Sequence, residues 1–235
     1  MFDVQHISFS WGRKPLLEDV SFSLAPGETA VLAGANGAGK TTLLKILAGV
    51  CLPSSGRVLV DGIDAFRQAL RFRRMLGYLP EAACADPDLR VRKYLRYRAN
   101  LRGEMTKKIR HRVAEAMGLC GLEPYADVPV GMLSFGLRKR VALADAVLLR
   151  PRFLLLDDLL AGLDPATRAS FGRIVAAVSS FAAVLVSGHE LNELEQWADK
   201  FYVLRDGRVV GAKTAAGVRT ILGLTPPAPS TGGAA

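Results

Sequence analysis

Cysteine is scarce. Cys51, Cys84 and Cys120 are the only three in 235 residues, an odd number without metal-ligand spacing. That speaks against a disulfide framework or a thiolate zinc site and for a reducing, cytoplasmic setting. Aromatic residues make up 7% against 50% hydrophobic overall, so the core must be aliphatic. Such a core suits buried parallel strands better than a half-solvated antiparallel sheet. Long apolar runs are also missing. The longest uncharged stretch, Ile174 to His189, is broken by Ser179, Ser180, Ser187 and Gly188 and falls short of the roughly 20 apolar residues that cross a bilayer. No cationic, apolar leader precedes the first predicted strand, which again fits a cytoplasmic protein. Acidic residues number 22 against 31 basic ones, a formal net charge of +9. This excess admits nucleic acid, an anionic membrane face or a nucleotide site with a basic helical region, and by itself selects none of them.

The length suffices for one folded unit with a full core and room for a helical insertion. Strands are predicted at Phe2 to Phe9 and Val20 to Leu24, flanking the turn-rich WGRKP, then at Thr29 to Leu32 after Pro26-Gly27. A helix ending near Gly49, a strand from Arg57 to Val60 and an Asp61-Gly62 turn follow; strand, helix, strand is the start of a parallel sheet in an α/β fold. From Arg67 to Arg112 basic residues crowd RFRRM and RVRKYLRYRANLRG, with Tyr94, Leu95, Tyr97 and Leu101 at amphipathic spacing. We read residues 82–150 as an inserted helical subdomain. Strands resume at Phe153 to Leu156, Ala182 to Ser187 and Phe201 to Leu204, so residues 1–81 and 151–223 would enclose the insertion. The closing TPPAPSTGGAA has no apolar residue larger than alanine and cannot offset its ordering entropy. Residues 224–235 are therefore expected to form a disordered tail.

Gly34-Ala35-Asn36-Gly37-Ala38-Gly39-Lys40-Thr41-Thr42 fits G-x-x-x-x-G-K-[ST], after a predicted strand and opening a predicted helix. The glycines let main-chain amides wrap a phosphate, the helix start adds positive potential, and Lys40 supplies charge for the terminal phosphates. Thr41 can place its hydroxyl on Mg²⁺. A triphosphate nucleotide is the implied ligand. Such sites need a carboxylate at the end of a neighbouring buried strand to hold the metal, and Asp157 follows the apolar FLLL. Upstream, LSFGLRKRVALADAVLLRP places Ser134 as the cap of a helix with Leu137, Val141, Ala144 and Leu148 at helical spacing before Pro151. That helix start is a second anion site.

GANGAGKTT, then YLPE, LSFGL, LLLDD with GLDP, and SGH, in this order from Val4 to Gly211, resemble the nucleotide-binding subunit of an ATP-binding cassette (ABC) transporter. The resemblance implies a P-loop NTPase (RecA-like) mixed sheet with an N-terminal antiparallel β subdomain. Two cassettes, identical or related, would sandwich two Mg²⁺-ATP head to tail, with Ser134 and Gly136 of one facing the γ-phosphate held by Lys40 of the other. Trp11 occupies the position of the ring that stacks on adenine, with Phe9 the core candidate by strand alternation. Glu81 stands where glutamine is usual, near Mg²⁺ or the attacking water. His189 matches the switch histidine, and Asp164 the residue that crosses the dimer contact, a role compatible with capping a helix ahead of Pro165. GYLPE and the residue at the third signature position look most like export-type cassettes whose membrane permease is a separate subunit.

The sequence also departs from the family. Leu159-Leu160 replace a common Pro-Thr, and Phe135 and Leu137 replace the Gly and Gln of LSGGQ. Asp158 stands where a catalytic glutamate is general. One methylene fewer retracts the carboxylate by about 1.5 Å, and a misplacement of about 1 Å can slow a reaction on the order of a hundredfold, so slow hydrolysis is expected. The alternative is a regulatory cassette acting as an ATP-gated dimerisation switch. Work on DNA or ribosomes is not expected, because no long coiled coil separates phosphate loop from signature and no second cassette follows.

Overall fold

The structure, a computed structural model, describes residues 1–82 and 85–224; Cys84 and residues 225–235, most of the expected tail, lie outside it. Two sheets form the frame. The first is antiparallel, in the order β2-β1-β4-β5, from β1 (Phe2–Trp11), β2 (Lys14–Leu24), β4 (Ser55–Val60) and β5 (Ile63–Asp64). The second has the order β10-β9-β3-β8-β7-β6, from β3 (Thr29–Gly34), β6 (Leu76–Leu79), β7 (Phe153–Leu156), β8 (Ala183–Ser187), β9 (Lys200–Arg205) and β10 (Arg208–Ala212). All its pairings are parallel except β9 with β10. The fold is α/β with a mixed main sheet and a separate antiparallel sheet.

The parallel strands are buried on both faces, which is why they read as unbroken aliphatic runs. Val31, Leu154, Leu156, Val184 and Val186 point into one core, while Leu32, Phe153, Leu155 and Leu185 point into the other. The second core lies under the antiparallel sheet and α1 (Lys40–Leu47). Phe2 stacks on Phe153 with ring centroids 3.7 Å apart and joins the two sheets. Both N-terminal strands run longer than their sequence pattern indicates, because register shifts along β1 break the alternation.

A short helix, α2 (Ala69–Met75), leads into β6. Between β6 and β7 the chain forms α3 (Val91–Leu101), α4 (Thr106–Cys120) and α5 (Phe135–Val147) around Val91, Leu95, Val113, Met117 and Leu122. Asp145, buried in α5, receives Arg98 Nη2 at 2.9 Å and Arg102 Nη2 at 3.0 Å from α3. Helix α5 lies directly on β6: a Cβ on Gly77 would come within 2.3 Å of the Ala146 carbonyl oxygen. The chain then continues through α6 (Pro165–Ser179), the short α7 (Leu191–Leu194) and α8 (Ala215–Leu222). Leu224, assigned to the tail on sequence grounds, closes α8 instead, its N–H donating to the Arg219 carbonyl at 2.8 Å.

Candidate active site

Strands β3, β8, β7 and β6 are successive neighbours running in one direction, so their carboxyl ends share one edge of the sheet. That edge is where open α/β sheets bind ligands. The phosphate loop follows β3, His189 follows β8, Asp157 and Asp158 follow β7, and Glu81 follows β6.

In the loop, Gly37 (φ +78) and Gly39 (φ +103) take left-handed conformations that a side chain resists, a geometry suited to presenting successive amides to an anion. Lys40 opens α1, and its ammonium donates to the carbonyls of Gly34 (2.8 Å) and Ala35 (3.1 Å). Burial lowers its pKa, opposed by the nearby Asp158, Asp157 and Glu81.

Asp157 is 1% exposed. Its Oδ1 accepts from Ser187 Oγ at 2.7 Å and from Thr41 Oγ1 at 3.3 Å, while Oδ2 is buried without a partner. Burial raises its pKa, against those two hydrogen bonds. The Asp158 N–H donates to the same Ser187 hydroxyl at 2.9 Å. Asp158 adopts φ +48, a left-handed conformation in which aspartate is among the better tolerated residues. Its Oδ1 lies 3.6 Å from His189 Nδ1, and His189 Nε2 lies 3.6 Å from Glu190 Oε1. Burial raises the Asp158 pKa, and His189 opposes the rise.

These groups share a cavity of about 550 Å³ lined by Trp11, Asn36, Gly37, Gly39, Lys40, Thr41, Thr42, Glu81, Asp157, Asp158 and His189, together with Leu16 and Ser187. The volume is that of a small-ligand site. Trp11 is 64% exposed at its rim, edge-on to the buried Phe9 with centroids 5.1 Å apart. Gly34 and Ala38 are not among the lining residues; a Cβ on Gly34 would meet the Leu204 carbonyl oxygen at 2.7 Å.

Ser134, Gly136 and Asp164 are not brought into the cavity. Ser134 caps α5 by accepting from the Leu137 N–H at 3.4 Å, and is exposed. Asp164 caps α6, accepting from the Thr167 N–H (2.9 Å) and hydroxyl (2.6 Å), bonds that lower its pKa.

Leu16 and Ser187 line the cavity and Glu190 lies beside His189, and none of the three was singled out from the sequence. Ser187 carried a signal, a hydroxyl on the last residue of a buried apolar strand. Leu16 follows a proline in a bulged strand and carries none.

A model of the family described as ABC transporter matches residues 17–161. The chain belongs to the ABC transporter family. This cassette is 31% identical over 209 residues, 89% of its length and 69% of the relative's, to the uncharacterized ABC transporter ATP-binding protein YxlF of Bacillus subtilis. It is 33% identical over 209 residues, 88% of its length and 69% of the relative's, to the Nod factor export ATP-binding protein I of Burkholderia orbicola. Among solved structures, the cassette resembles an ATP-binding subunit of an ABC transporter with a TM-score of 0.83 at 28% identity, covering 95% of this chain and 94% of that one. A dimeric bacterial ABC transporter cassette shares the fold, with a TM-score of 0.81 at 24% identity over 91% and 98% of the two chains. The cassette is thus an ATP-binding subunit and an ATPase. No helix among the described residues is long and apolar enough to cross a membrane.

Proposed function

We propose that two copies of this cassette, or one copy and a related cassette, close head to tail on two ATP molecules. Hydrolysis, slowed by Asp158, then drives export through a separate membrane subunit. The observation that carries this reading is the split of the anion-binding machinery. The cavity holds phosphate loop, carboxylates and His189, whereas the capped start of α5 at Ser134 stands exposed outside it. One chain supplies both halves of a polyphosphate site but not at one place, so the complete site needs a second chain.

Thr41, Asp157 and Glu81 are the candidates to hold Mg²⁺. The unpartnered buried Asp157 Oδ2 and the Thr41 hydroxyl beside Oδ1 form an oxygen-only donor set that fits a hard divalent ion. When bound, Mg²⁺ offsets phosphate charge. Trp11 offers its exposed face to adenine. Lys40, held by two carbonyls, exchanges them for the terminal phosphates. Asp158 orients water and accepts its proton as the bond to the γ-phosphorus forms and the bond to the leaving ADP oxygen breaks, and His189 stands beside it with Nδ1 3.6 Å from Oδ1.

The export direction is supported by the Nod factor export relatives. A membrane partner is supported by the exposed apolar side chains Leu70 on α2, Tyr97 and Leu101 on α3 and Met105 just before α4, which lie among basic residues in the segments flanking Glu81 in sequence. The cassette would then sit on the cytoplasmic face of the membrane through that subunit. The deciding experiment is the mass of the Asp158→Asn variant in saturating Mg²⁺-ATP. A doubling relative to the nucleotide-free state is expected and should vanish on adding Ser134→Arg; a monomer throughout overturns the reading.

A further inference from the structure

Lys139 is a buried cation on the signature helix. It is 8% exposed, and its ammonium donates to the carbonyl oxygens of Asp158 at 3.0 Å and Ala161 at 2.9 Å. Burying an ammonium is unfavourable, and an apolar residue of similar volume would pack there without that penalty. Something other than packing is needed to account for it.

Its surroundings supply the reason. The Asp158 carbonyl also accepts from the Ala161 N–H at 3.3 Å, so Lys139 grips both ends of the turn that carries the hydrolytic carboxylate. Asp158 stands at φ +48 in that turn, a left-handed conformation that aspartate tolerates and that these contacts hold in place. One helical turn before Lys139, Phe135 presents its ring 5.6 Å from the ammonium and also packs on the turn, since a Cβ at Gly162 would meet Phe135 Cε1 at 3.2 Å. From the far side, Arg168 of α6 donates to the Leu163 carbonyl at 2.9 Å and to Glu193 Oε1 at 3.1 Å. The segment from Asp158 to Leu163 is therefore tied at one end to α5 and at the other to the helix that follows His189.

We propose that Lys139 is a positioning residue: it couples the signature helix to the Asp158–Ala161 turn, so that a phosphate engaging the start of α5 on one face resets the carboxylate on the other. The helix moves as a rigid body, and Lys139 lies on it five residues beyond the capping Ser134. In a head-to-tail pair, the phosphate at Ser134 belongs to the opposite site. Each Asp158 would thus respond to nucleotide bound across the interface. This inference rests on the reading above.

The test uses the full chain and single-turnover hydrolysis, which reads even a slow rate. Lys139→Met removes the charge at similar volume, and Lys139→Arg keeps the charge and the donors. Lys139→Met is expected to lower the rate at least tenfold while ATP affinity stays within about twofold and the melting temperature does not fall, with partial recovery in Lys139→Arg. Combined with Ser134→Ala, the losses should not multiply, because both variants cut the same link. Unchanged hydrolysis in Lys139→Met overturns the proposal. So does a parallel fall of rate, affinity and melting temperature, which marks a structural residue, and so does a double variant whose losses multiply. Dimerisation of Asp158→Asn on ATP, measured alongside, reports separately on the head-to-tail reading: failure there sinks that reading, whereas normal dimers with an unaffected Lys139→Met rate sink the coupling alone.

Discussion

The Ser187 hydroxyl donates to the Asp157 carboxylate at 2.7 Å across neighbouring parallel strands. It satisfies one oxygen of a group whose other oxygen, Oδ2, is buried without a partner. Asp157 is therefore a poorly compensated buried charge at the carboxyl edge of the parallel sheet.

Asp157→Asn should stabilise the nucleotide-free protein. Burial raises the Asp157 pKa above its ordinary 3.8, and Asp158 is raised by the same cause. A raised carboxylate contributes stability only while protonated, below its unfolded value, and loses it as pH climbs through the folded value. At neutral pH the charged Asp157 is thus a liability. The amide can keep the bonds from Ser187 and Thr41, and a gain of about 1 kcal/mol would raise the melting temperature by roughly 2–4 °C in a chain of this size. The gain should shrink as pH falls into the acid range just above 3.8, and Mg²⁺-dependent ATP binding should be lost. Differential scanning calorimetry across pH checks the first two expectations.

The parallel sheet was legible in the sequence because buried strands such as FLLL and AVLVS need no alternation, only apolar residues between turn signals. The phosphate loop and Ser134 were legible because their chemistry is local: glycines at left-handed positions and a hydroxyl at a cap. Lys139 and Glu190 were not. Their partners are distant in sequence, Lys139 meeting Asp158 19 positions on and Glu190 pairing with Arg168 22 positions before it, and a lysine in a helix reads as a solvated charge until its neighbours are known. The full extent of β1 and β2 escaped for a different reason: positive φ at His6 and Asp19, with the associated register shifts, erased the period-two pattern.

Trp11 should control affinity without touching chemistry. It is 64% exposed and held edge-on by Phe9, and stacking of a base on an aromatic ring is worth about 1–3 kcal/mol. Trp11→Ala should weaken ATP binding by roughly 5- to 150-fold, Trp11→Phe should recover most of it, and the turnover rate at saturation should stay within twofold in both. Nucleotide titration followed by calorimetry separates the two parameters. Equal loss in Trp11→Ala and Trp11→Phe would show that the ring face is not the contact.

Asp145 anchors the helical region. It accepts from Arg98 Nε at 2.9 Å and pairs with the Nη2 groups of Arg98 and Arg102. The Tyr94 hydroxyl lies 3.4 Å away, its pKa pushed up to about 12 by burial and then by Asp145. Removing the anion strands two guanidinium groups in a part-buried site. Asp145→Ala should therefore destabilise by about 3–5 kcal/mol, the range for breaking a buried pair from one side. Because exposure of the arginines lets water share the load, the lower end is expected. Urea denaturation measures it, and an effect below 1 kcal/mol would demote the cluster to a surface pair.

Asp158→Glu decides what the short carboxylate does. The left-handed backbone at Asp158 suits aspartate better than glutamate, so the longer residue should destabilise the turn slightly. The added methylene nevertheless advances the carboxylate by about 1.5 Å toward the cavity. If retraction limits hydrolysis, the glutamate variant should turn over ATP roughly 10- to 100-fold faster, the factor set by relieving a misplacement of about 1 Å. Asp158→Asn should fall to near background in the same single-turnover assay. A glutamate variant no faster than the unaltered chain would mean that Lys139, Ser187 and the Asp158–Ala161 turn already place the aspartate correctly. The substitution of Asp for Glu would then be an adaptation of the turn and not a brake.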